Sequence, residues 1–508
     1  MDTCKDSHFA RDFSHLYSRQ TLAREPSPLE TTFHLLEDPK VIYLAGGLPL
    51  KNYFPWNSLS CNALAPPFKN GINADLNCDQ DYFKMEIMKS YSSQRGDIPL
   101  SRSLQYGSIK GHSELLEFLK DHTKMVHNIQ YSDWNIVTSI GNTYGWDAAL
   151  RVFCDVGDVV LMEEFTYPSS ISCAVAHGVN IFSIPTDENG IVPERLQGIL
   201  ENWSPDLRMP KILYTIPTGQ NPTGTTLPFD RRVAIFSLAQ KYDIIIVEDE
   251  PYYFLQAGAT AAAHKANKRG DNCASSLSKR HDEFLNSLVE SFLSIDTEGR
   301  VLRLDSFSKI LAPGARLGWI TGSKEILQQF LKLHETSMHF PSGFSQTLIS
   351  NLLHRWGHEG YLDWLMELKM EYCMKRKVAI ECTRNFLCDV PGFNLNIPTA
   401  GMFFTINIDA SLHPDFATKF GSEPQIVEKM LFKKLIASGV VFAAGSWFKC
   451  DNKLKFLSSE ISEIKQPLHT KFIFFRGTYA SVSQEELIEG IRIFCKLLHD
   501  EFKTGVTI

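Results

Sequence analysis

The chain has 508 residues and a formal net charge of −7 at pH 7, and 44% of its residues are hydrophobic. This length allows two or more structural units with a large core, and the composition is ordinary for a soluble enzyme. The negative charge and the lack of a basic tail argue against a nucleic-acid partner. No apolar run is long enough to cross a membrane, so we expect no membrane partner.

The N-terminal residues and the cysteines both indicate a reducing, cytoplasmic setting. Asp2, Asp6 and Asp12 lie near the N-terminus, which lacks the apolar core of a signal peptide and carries acids that a mitochondrial transit peptide avoids. The 11 cysteines are scattered, form no C-x-x-C motif and are odd in number, which argues against a disulfide framework. We expect no metal site.

The first 40 residues are polar, with a short helix predicted over 29–36. Residues 41–44 are strand-like and lead to Gly46 and Gly47, where the backbone can approach a ligand closely or simply turn. Tyr106 precedes a helix predicted over 113–124, which has leucines on one face.

From about residue 75 to 325, strand-like and helical patterns alternate, which is typical of an α/β domain with a mainly parallel sheet. The predicted strands are 158–164, 211–216, 243–249 and 301–306, and the predicted helices are 146–153, 231–242 and 281–295. In such sheets, ligand-binding residues lie beyond the carboxyl ends of the strands. Residues 256–282 interrupt the alternation with small and basic residues, which we interpret as a surface insertion.

Lys309 follows the strand predicted at 301–306, with Ser306 and Ser308 before it and Arg316 after it. Apolar neighbours and a second cation both disfavour the ammonium form, so the free amine of this lysine is more available than usual. Two hydroxyls and a guanidinium in this pattern can hold a phosphate group. A solvated loop lysine is the alternative, and the S-x-S-K pattern with the later arginine favours the functional interpretation.

Polar residues also follow other predicted strands. Asn142 and Thr143 lie in a glycine-containing loop that opens a helix, where free N–H groups can meet an anion. Asn221 begins an N-P-T-G string, and its bond to Pro222 is a candidate for the cis form.

Asp249 ends the apolar run at 243–249, at the place where an open α/β sheet positions ligand-binding groups. Glu248 and Glu250 flank it and are the competing acids. Tyr252 lies three residues later, so the spacing is D-x-x-Y.

Beyond residue 325, we predict helices at 326–337, 346–356 and 361–387, then strands at 400–406, 439–442 and 471–479, and helices at 425–438 and 483–502. Ser483 and Glu486 form a capping box for the last helix. Arg476 follows the apolar run K-F-I-F-F, where a guanidinium can bind a carboxylate through two hydrogen bonds. A surface arginine on an edge strand is the alternative. The predicted domains are an N-terminal segment and arm at 1–74, a large domain at 75–371 and a small domain at 372–508.

Together, these motifs resemble those of the fold-type I aminotransferases, which depend on pyridoxal phosphate. The resemblance is strongest to the fungal aromatic amino acid aminotransferases, relatives of the kynurenine and α-aminoadipate enzymes, and it extends from residue 24 to about residue 502. Its anchors are N-P-T-G, D-x-x-Y, S-x-S-K with the later arginine, and F-F-R, with R-E-P-S-P and L-A-G-G-L-P near the N-terminus. It implies a large α/β domain, whose mainly parallel sheet is sandwiched by helices, and a smaller α+β C-terminal domain.

The resemblance also implies residue roles. Lys309 carries the cofactor and moves protons, Asp249 keeps the pyridine nitrogen protonated, and Tyr167 stacks on the ring as the third residue of the catalytic set. The D-x-x-Y spacing selects Asp249 over its acidic neighbours. The other implied cofactor-binding residues are Asn142, Thr143, Asn221, Tyr252, Ser306, Ser308, Arg316 and Tyr106, the last reaching across a homodimer. The implied substrate-binding residues are Arg476, Gly47, Asn221 and Arg24.

We therefore expect transamination of phenylalanine, tyrosine and tryptophan with 2-oxoglutarate or aromatic 2-oxo acids, in aromatic amino acid biosynthesis or catabolism. The side-chain pocket is predicted to use Leu48, Tyr106, Phe403, Trp447 and Phe448. The alternatives are an α-aminoadipate or kynurenine aminotransferase and another enzyme of this fold, such as a β-lyase or decarboxylase. A non-enzymatic regulator would need an added DNA-binding domain, for which the roughly 40-residue N-terminal segment is too short.

Overall fold

The computed structural model describes residues 8–28, 32, 35, 40–72, 81–92, 94–257, 278–450 and 471–506. Most of the helix predicted at 29–36, most of the insertion predicted at 256–282 and most of the polar loop before residue 471 lie outside these ranges. The predicted domain boundaries stay predictions.

The described strands, in chain order, are β1 (Ser58–Leu64), β2 (Tyr82–Met88), β3 (Trp134–Ser139), β4 (Val159–Glu163), β5 (Asn180–Ile184), β6 (Thr186–Asp187), β7 (Gly190–Ile191), β8 (Ile212–Thr215), β9 (Ile245–Asp249), β10 (Val301–Ser306), β11 (Gly318–Ser323), β12 (Phe393–Asn396), β13 (Phe403–Asp409), β14 (Ala443–Ala444) and β15 (Phe472–Thr478).

The described helices are α1 (Arg19–Leu22), α2 (Leu100–Ser103), α3 (Ser113–His127), α4 (Asn142–Phe153), α5 (Pro168–Ala176), α6 (Pro193–Glu201), α7 (Phe229–Lys241), α8 (Lys279–Asn286), α9 (Phe292–Ile295), α10 (Lys324–Glu335), α11 (Gly343–Leu387), α12 (Pro424–Ala437) and α13 (Gln484–Phe502).

A seven-stranded sheet forms the centre of the molecule, in the order β3-β11-β10-β9-β8-β4-β5. All its strands run parallel except β11, which is antiparallel to both neighbours. Helices cover both faces, since Val247 of β9 packs in the cluster that contains α4 and α5, whereas Ile246 packs with α6, α7 and α9. Burial on both faces explains why β4 and β9 are apolar along most of their length. The predicted α/β class is confirmed.

A second, antiparallel sheet has the order β12-β13-β15-β14. Its side chains, including Phe404 and Ile406 of β13, pack with α12, α13 and the second half of α11. Helix α11 is interrupted at Gly357, which has the non-helical angles φ 64° and ψ −179°. Residues Gly343–Leu387 are therefore two helices that meet at Gly357, in agreement with the separate helices predicted at 346–356 and 361–387. The predicted capping box of Ser483 and Glu486 is also confirmed.

The structure corrects three local predictions and adds one element. Residues 41–44 form no strand; Ile42 and Leu44 are exposed, at 86% and 90%, and no strand among the described residues pairs with their backbone. The β1–β2 hairpin was not predicted. The helix predicted over 281–295 is two helices, because the Ser291 hydroxyl accepts a hydrogen bond from the backbone of Ser294 and begins α9 there. The strand predicted at 439–442 lies later, as β14.

Within the described ranges, no helix is both long and apolar enough to span a bilayer.

Candidate active site

Five parallel strands bring polar residues to the same edge of the central sheet, because their carboxyl ends all lie there. The residues that end or follow β3, β4, β8, β9 and β10 are Asn142, Tyr167, Asn221, Asp249 and Lys309, in that order. Since β11 is antiparallel, it begins at this edge, and Arg316 lies just before it. The sheet therefore assembles residues from a stretch of more than 170 positions into one site.

The Asp249 carboxylate is buried and held by two donors. Asn142 Nδ2 donates to Asp249 Oδ1 at 2.7 Å, and the Tyr214 hydroxyl donates to Asp249 Oδ2 at 2.7 Å. Burial raises the pKa of Asp249, and the two hydrogen bonds oppose that rise because they favour the charged form. The result is a carboxylate with low solvation beside the start of α4.

The two competing acids have other partners. Successive side chains of a strand point to opposite faces, so Glu248 and Glu250 share the face opposite to Asp249. The oxygens of Glu248 accept hydrogen bonds from the first two backbone N–H groups of α9, both at 3.0 Å. Arg303 lies 3.4 Å from Glu248 and 3.9 Å from Glu250, and Arg232 lies 3.5 Å from Glu250. Both glutamates therefore belong to a buried structural network.

Lys309 is half-buried in the turn after β10. Burial lowers its pKa, and the nearby cations Arg316 and Arg476 lower it further. This agrees with the sequence-based expectation that apolar neighbours and a second cation disfavour the ammonium form. The free amine of Lys309 is thus more accessible at neutral pH than that of a solvated lysine.

Ser306, Ser308, Arg316 and the beginning of α4 form a compact polar cradle. Ser306 Oγ donates to Ser308 Oγ at 2.7 Å, and Arg316 Nη1 lies 3.4 Å from Ser308 Oγ. Arg316 Nη2 donates to the carbonyl of Ile140 at 3.0 Å. Gly141, at φ 106°, is required here because a Cβ would lie 2.5 Å from Arg316 Nη2.

The first turn of α4, which contains Asn142 and Thr143, receives no side-chain cap from Gly141. Its N–H groups, the two serine hydroxyls and the guanidinium of Arg316 are together suited to bind a phosphate dianion.

Arg476 lies on β15 and reaches the central sheet. Its Nη1 donates to Asn221 Oδ1 at 2.7 Å, and its guanidinium carbon lies 4.2 Å from the ring centroid of Phe403 and 4.8 Å from that of Phe448. Burial lowers its pKa. Its Nε is buried without a hydrogen-bond partner, and none of the described carboxylates forms an ion pair with it. This arrangement suits a ligand that brings its own carboxylate.

The bond between Asn221 and Pro222 is cis, as predicted. Gly219, two residues earlier, lies very close to the backbone that precedes β13. A Cβ on Gly219 would lie 2.7 Å from the nitrogen of Gly401. Both glycines have positive φ, so this approach depends on the absence of side chains.

Tyr252 and Tyr167 complete the group around Arg476. The ring of Tyr252 is buried and meets that of Phe403 edge-on at 5.8 Å, and burial raises the pKa of its hydroxyl, which therefore stays protonated. Tyr167 is the residue before α5, and both phenols interact electrostatically with Arg476.

Three other predicted residues lie elsewhere in this chain. Tyr106 is 54% exposed and its ring lies 5.5 Å from that of His339. Arg24 is half-buried, and its Nη1 donates to Thr336 Oγ1 at 2.7 Å; Gly47 belongs to an open segment. Within the described part of the chain, no hydrogen bond, ion pair or ring contact links these three to the Lys309 cluster.

The predicted pocket residues are likewise divided. Phe403 and Phe448 contact Arg476, as described above. The ring of Trp447 instead packs edge-on against Phe432 at 5.0 Å, and Leu48 is half-buried in the segment after Gly47.

Sequence reasoning missed two polar residues that support the site. Tyr214 holds Asp249, and its hydroxyl also accepts a hydrogen bond from Ser170 at 2.8 Å. Glu163, at the end of β4, accepts hydrogen bonds from Thr215 at 2.7 Å and from Gln220 at 3.0 Å, and burial raises its pKa to about 7. The sequence feature that could have identified both residues is a polar side chain inside, or at the end of, a buried apolar strand, because such a side chain needs a hydrogen-bond partner.

Comparisons with known proteins identify the family of this chain. Residues 100–465 match the family described as aminotransferase class I and II. An aromatic amino acid aminotransferase of Schizosaccharomyces pombe is 36% identical over 504 residues, which cover 97% of each chain. An L-tyrosine:2-oxoglutarate aminotransferase of Serpula lacrymans is 31% identical over 517 residues, covering 97% of this chain and 96% of the relative.

The fold is also similar to a solved structure. The aminotransferase Aro8 from Candida albicans has 44% sequence identity and a TM-score of 0.87, covering 98% of this chain and 100% of that one. The predicted fold-type I architecture and transaminase class are therefore confirmed. The chain belongs to the class I and II aminotransferases.

Proposed function

We propose that this aminotransferase moves amino groups between aromatic amino acids and 2-oxo acids, with pyridoxal phosphate as its cofactor. The observation that carries the proposal is the half-buried Lys309 amine, whose pKa is lowered by burial and by Arg316 and Arg476. Asp249 ends the neighbouring strand β9. The names of the relatives in Schizosaccharomyces pombe and Serpula lacrymans support aromatic donors and 2-oxoglutarate as acceptor.

The residues present fit pyridoxal phosphate. The uncapped start of α4, with Asn142 and Thr143, and the group formed by Ser306, Ser308 and Arg316 would hold its phosphate. Asp249 would hold its ring nitrogen in the protonated form, and the hydroxyl of Tyr252 and the amide of Asn221 would meet its phenolic oxygen. Tyr167 would stack on its ring. When bound, the group supplies an electron-withdrawing ring that lowers the energy of a negative charge at the substrate Cα.

Lys309 would act as both base and acid. Because its pKa is lowered, a larger fraction of its Nζ is neutral and can accept the proton from the substrate Cα. The resulting ammonium can then return a proton, and the Arg316 and Arg476 cations nearby make that release easier.

Arg476 would bind the α-carboxylate of every substrate. Its Nη1 is oriented by Asn221, and Phe403 and Phe448 hold the guanidinium between aromatic rings. The buried Nε, which lacks a partner, is available to a carboxylate oxygen. Desolvation makes this charge-assisted contact stronger than it would be at the surface. The same two rings, Phe403 and Phe448, would favour an aromatic substrate side chain.

The alternatives use the same machinery. An α-aminoadipate or kynurenine aminotransferase would differ only in the side-chain pocket. A β-lyase would release ammonia and a decarboxylase would release CO2, and neither would aminate an acceptor 2-oxo acid. One acceptor aminated for each donor consumed, without release of ammonia or CO2, therefore identifies transamination. The cytoplasmic location stays a prediction.

Lys309 is expected to carry the cofactor covalently. Borohydride reduction of the loaded enzyme, followed by peptide mapping, should place the pyridoxyl label on Lys309. Lys309→Ala should still bind the cofactor but lose turnover by about 1,000-fold or more, since it removes the acid–base group. Lys324→Ala is the matched control, because Lys324 is an exposed lysine at the start of α10. A label on another lysine would reject the assignment.

Asp249→Asn and Glu248→Gln are expected to have opposite effects. Asp249→Asn should leave the free energy of unfolding nearly unchanged, because burial already disfavours that charge, and should lower turnover by about 100-fold or more. Glu248→Gln should lower the free energy of unfolding by about 3 kcal/mol, because it breaks a buried pair with Arg303. Urea unfolding and steady-state kinetics of both variants provide the measurements. The reverse pattern would assign the ring nitrogen to Glu248.

We propose that Arg24 binds the side-chain carboxylate of dicarboxylic substrates such as 2-oxoglutarate and α-aminoadipate. Its side chain is half-buried and donates a solvent-exposed hydrogen bond to Thr336, which a substrate carboxylate can replace. Arg24→Ala should lower kcat/KM for 2-oxoglutarate and α-aminoadipate by about tenfold or more, because one charged hydrogen bond is lost, with little effect on phenylalanine. Arg19→Ala, at an exposed arginine of the same segment, serves as control. Equal losses for all substrates would exclude Arg24 from the pocket.

We further propose a homodimer in which Tyr106 completes the partner's phosphate site. Tyr106 is exposed, as are Ile42, Leu44 and Tyr53, and apolar exposure of this extent is typical of an interface. Mixing Tyr106→Ala and Lys309→Ala subunits should restore activity that neither variant shows alone, because one site of the hybrid is intact. Full activity of a monomer, measured by sedimentation with kinetics, would contradict the shared site.

A further inference from the structure

A cluster of three potential metal ligands lies on α4 and at the end of α5. Asp147 belongs to α4, Cys173 to the last turns of α5, and His177 is the residue that follows this helix. One ligand atom from each of the three lies within 4.8 Å of the others. All three are half-buried, so an ion could reach them from solvent. None has a role in the proposed reaction.

The backbone holds these side chains in place. His177 keeps helical backbone angles, and its N–H donates to the carbonyl of Cys173 at 3.1 Å, so the two side chains share one face of α5. The facing helix is fixed by Trp146, whose indole N–H donates to the carbonyl of Ser170 at 3.0 Å. The three donors are therefore preorganised by contacts that do not involve a ligand.

One carboxylate oxygen of Asp147 lies close to both of the other potential ligands. Asp147 Oδ1 accepts from His177 Nε2 at 2.7 Å and lies 3.6 Å from Cys173 Sγ. The other oxygen, Oδ2, pairs with Arg151 Nε at 2.9 Å, which fixes the plane of the carboxylate. Supporting contacts of this kind are usual for carboxylates that bind metals.

We propose that Asp147, Cys173 and His177 form a Zn²⁺ site whose fourth ligand is water. One sulfur, one imidazole nitrogen and one carboxylate oxygen match the donors that zinc accepts, whereas Mg²⁺ and Ca²⁺ need oxygen ligands. Bonds of about 2.0–2.3 Å in a tetrahedron place ligand atoms about 3–4 Å apart. The distance of 3.6 Å between Asp147 Oδ1 and Cys173 Sγ already lies in this range, the His177–Asp147 pair at 2.7 Å must open, and the third pair lies within 4.8 Å.

Zinc binding here displaces one proton to solvent, because the metal binds the thiolate form of Cys173. It also breaks the hydrogen bond between His177 and Asp147.

The site would stabilise the fold rather than take part in the reaction. Helix α4 begins at the cradle and α5 follows Tyr167, so an ion bound between them would link two elements that position the active site. An ion that binds only the folded protein raises the unfolding temperature, and this rise grows with the logarithm of the ion concentration once that concentration exceeds Kd.

The test uses untagged, full-length enzyme loaded with its cofactor and stripped of metal by a chelator. Equilibrium dialysis against micromolar Zn²⁺, with metal analysis, compares the wild type with Cys173→Ser and His177→Gln. Cys388→Ser is the control, since Cys388 is an exposed free thiol on the small-sheet side. Turnover in zinc-free buffer should be equal in all four proteins, which shows that each is folded.

We expect the wild type and the Cys388→Ser control to bind one more Zn²⁺ per chain than Cys173→Ser and His177→Gln. We also expect a zinc-dependent rise in unfolding temperature in the wild type and the control but not in the two site variants. Equal stoichiometry and equal temperature shifts in all four proteins would reject the site. So would the absence of saturable zinc binding to the wild type.

Discussion

The active-site edge depends on one buried charge, the carboxylate of Asp249 at the end of β9. Removing this group from water raises its pKa, and among the described residues two hydrogen-bond donors, Tyr214 and Asn142, oppose that effect. Tyr214 comes from the neighbouring strand β8, and Asn142 also donates to the carbonyl of Leu304 in β10 at 2.9 Å. Three strands and the start of α4 must therefore stay aligned for these hydrogen bonds to favour the charged form of the carboxyl group. Because burial of the charge is unfavourable, the carboxylate of Asp249 needs these hydrogen bonds, and this alignment of the strands supplies them.

A second contact joins the two sheets. Arg476 of β15 donates to Asn221, which lies in the loop after β8, and the glycine pair Gly219 and Gly401 lets the two backbones meet close by. The guanidinium is buried between aromatic rings rather than paired with an acid of the described chain. A substrate carboxylate would therefore bind where the sheets meet, and recognition and domain packing would depend on the same residues.

The adjacent acids Glu248, Asp249 and Glu250 have different partners, because successive side chains of a strand point to opposite faces of the sheet. The two glutamates face α7 and α9, where they pair with Arg232 and Arg303 and accept backbone hydrogen bonds. Asp249 faces α4 and has no cationic partner among the residues described. A buried acid that is held by neutral donors can respond to a bound cation, whereas one that is already paired cannot.

The sequence by itself determined the positions of the polar residues relative to the strands. Apolar runs bounded by polar residues located β4, β8, β9 and β10, and the rule that parallel strands share a carboxyl edge grouped Asp249 with Lys309. The neighbouring cation Arg316 also allowed the lowered pKa of Lys309 to be anticipated. Local chemistry sufficed because each of these features lies within about 15 residues of its strand.

Only the tertiary structure decided which distant groups meet. Arg476 and Asn221 are separated by 255 positions, and nothing in either local pattern specifies their contact. Tyr214 could be placed in a strand, but its neighbour across the sheet depends on strand order. Residues 41–44 have a strand-like pattern yet form no strand, because a strand requires a partner with free backbone groups. Pairing between distant segments is a property of the packed chain, and it therefore cannot be derived from local propensity.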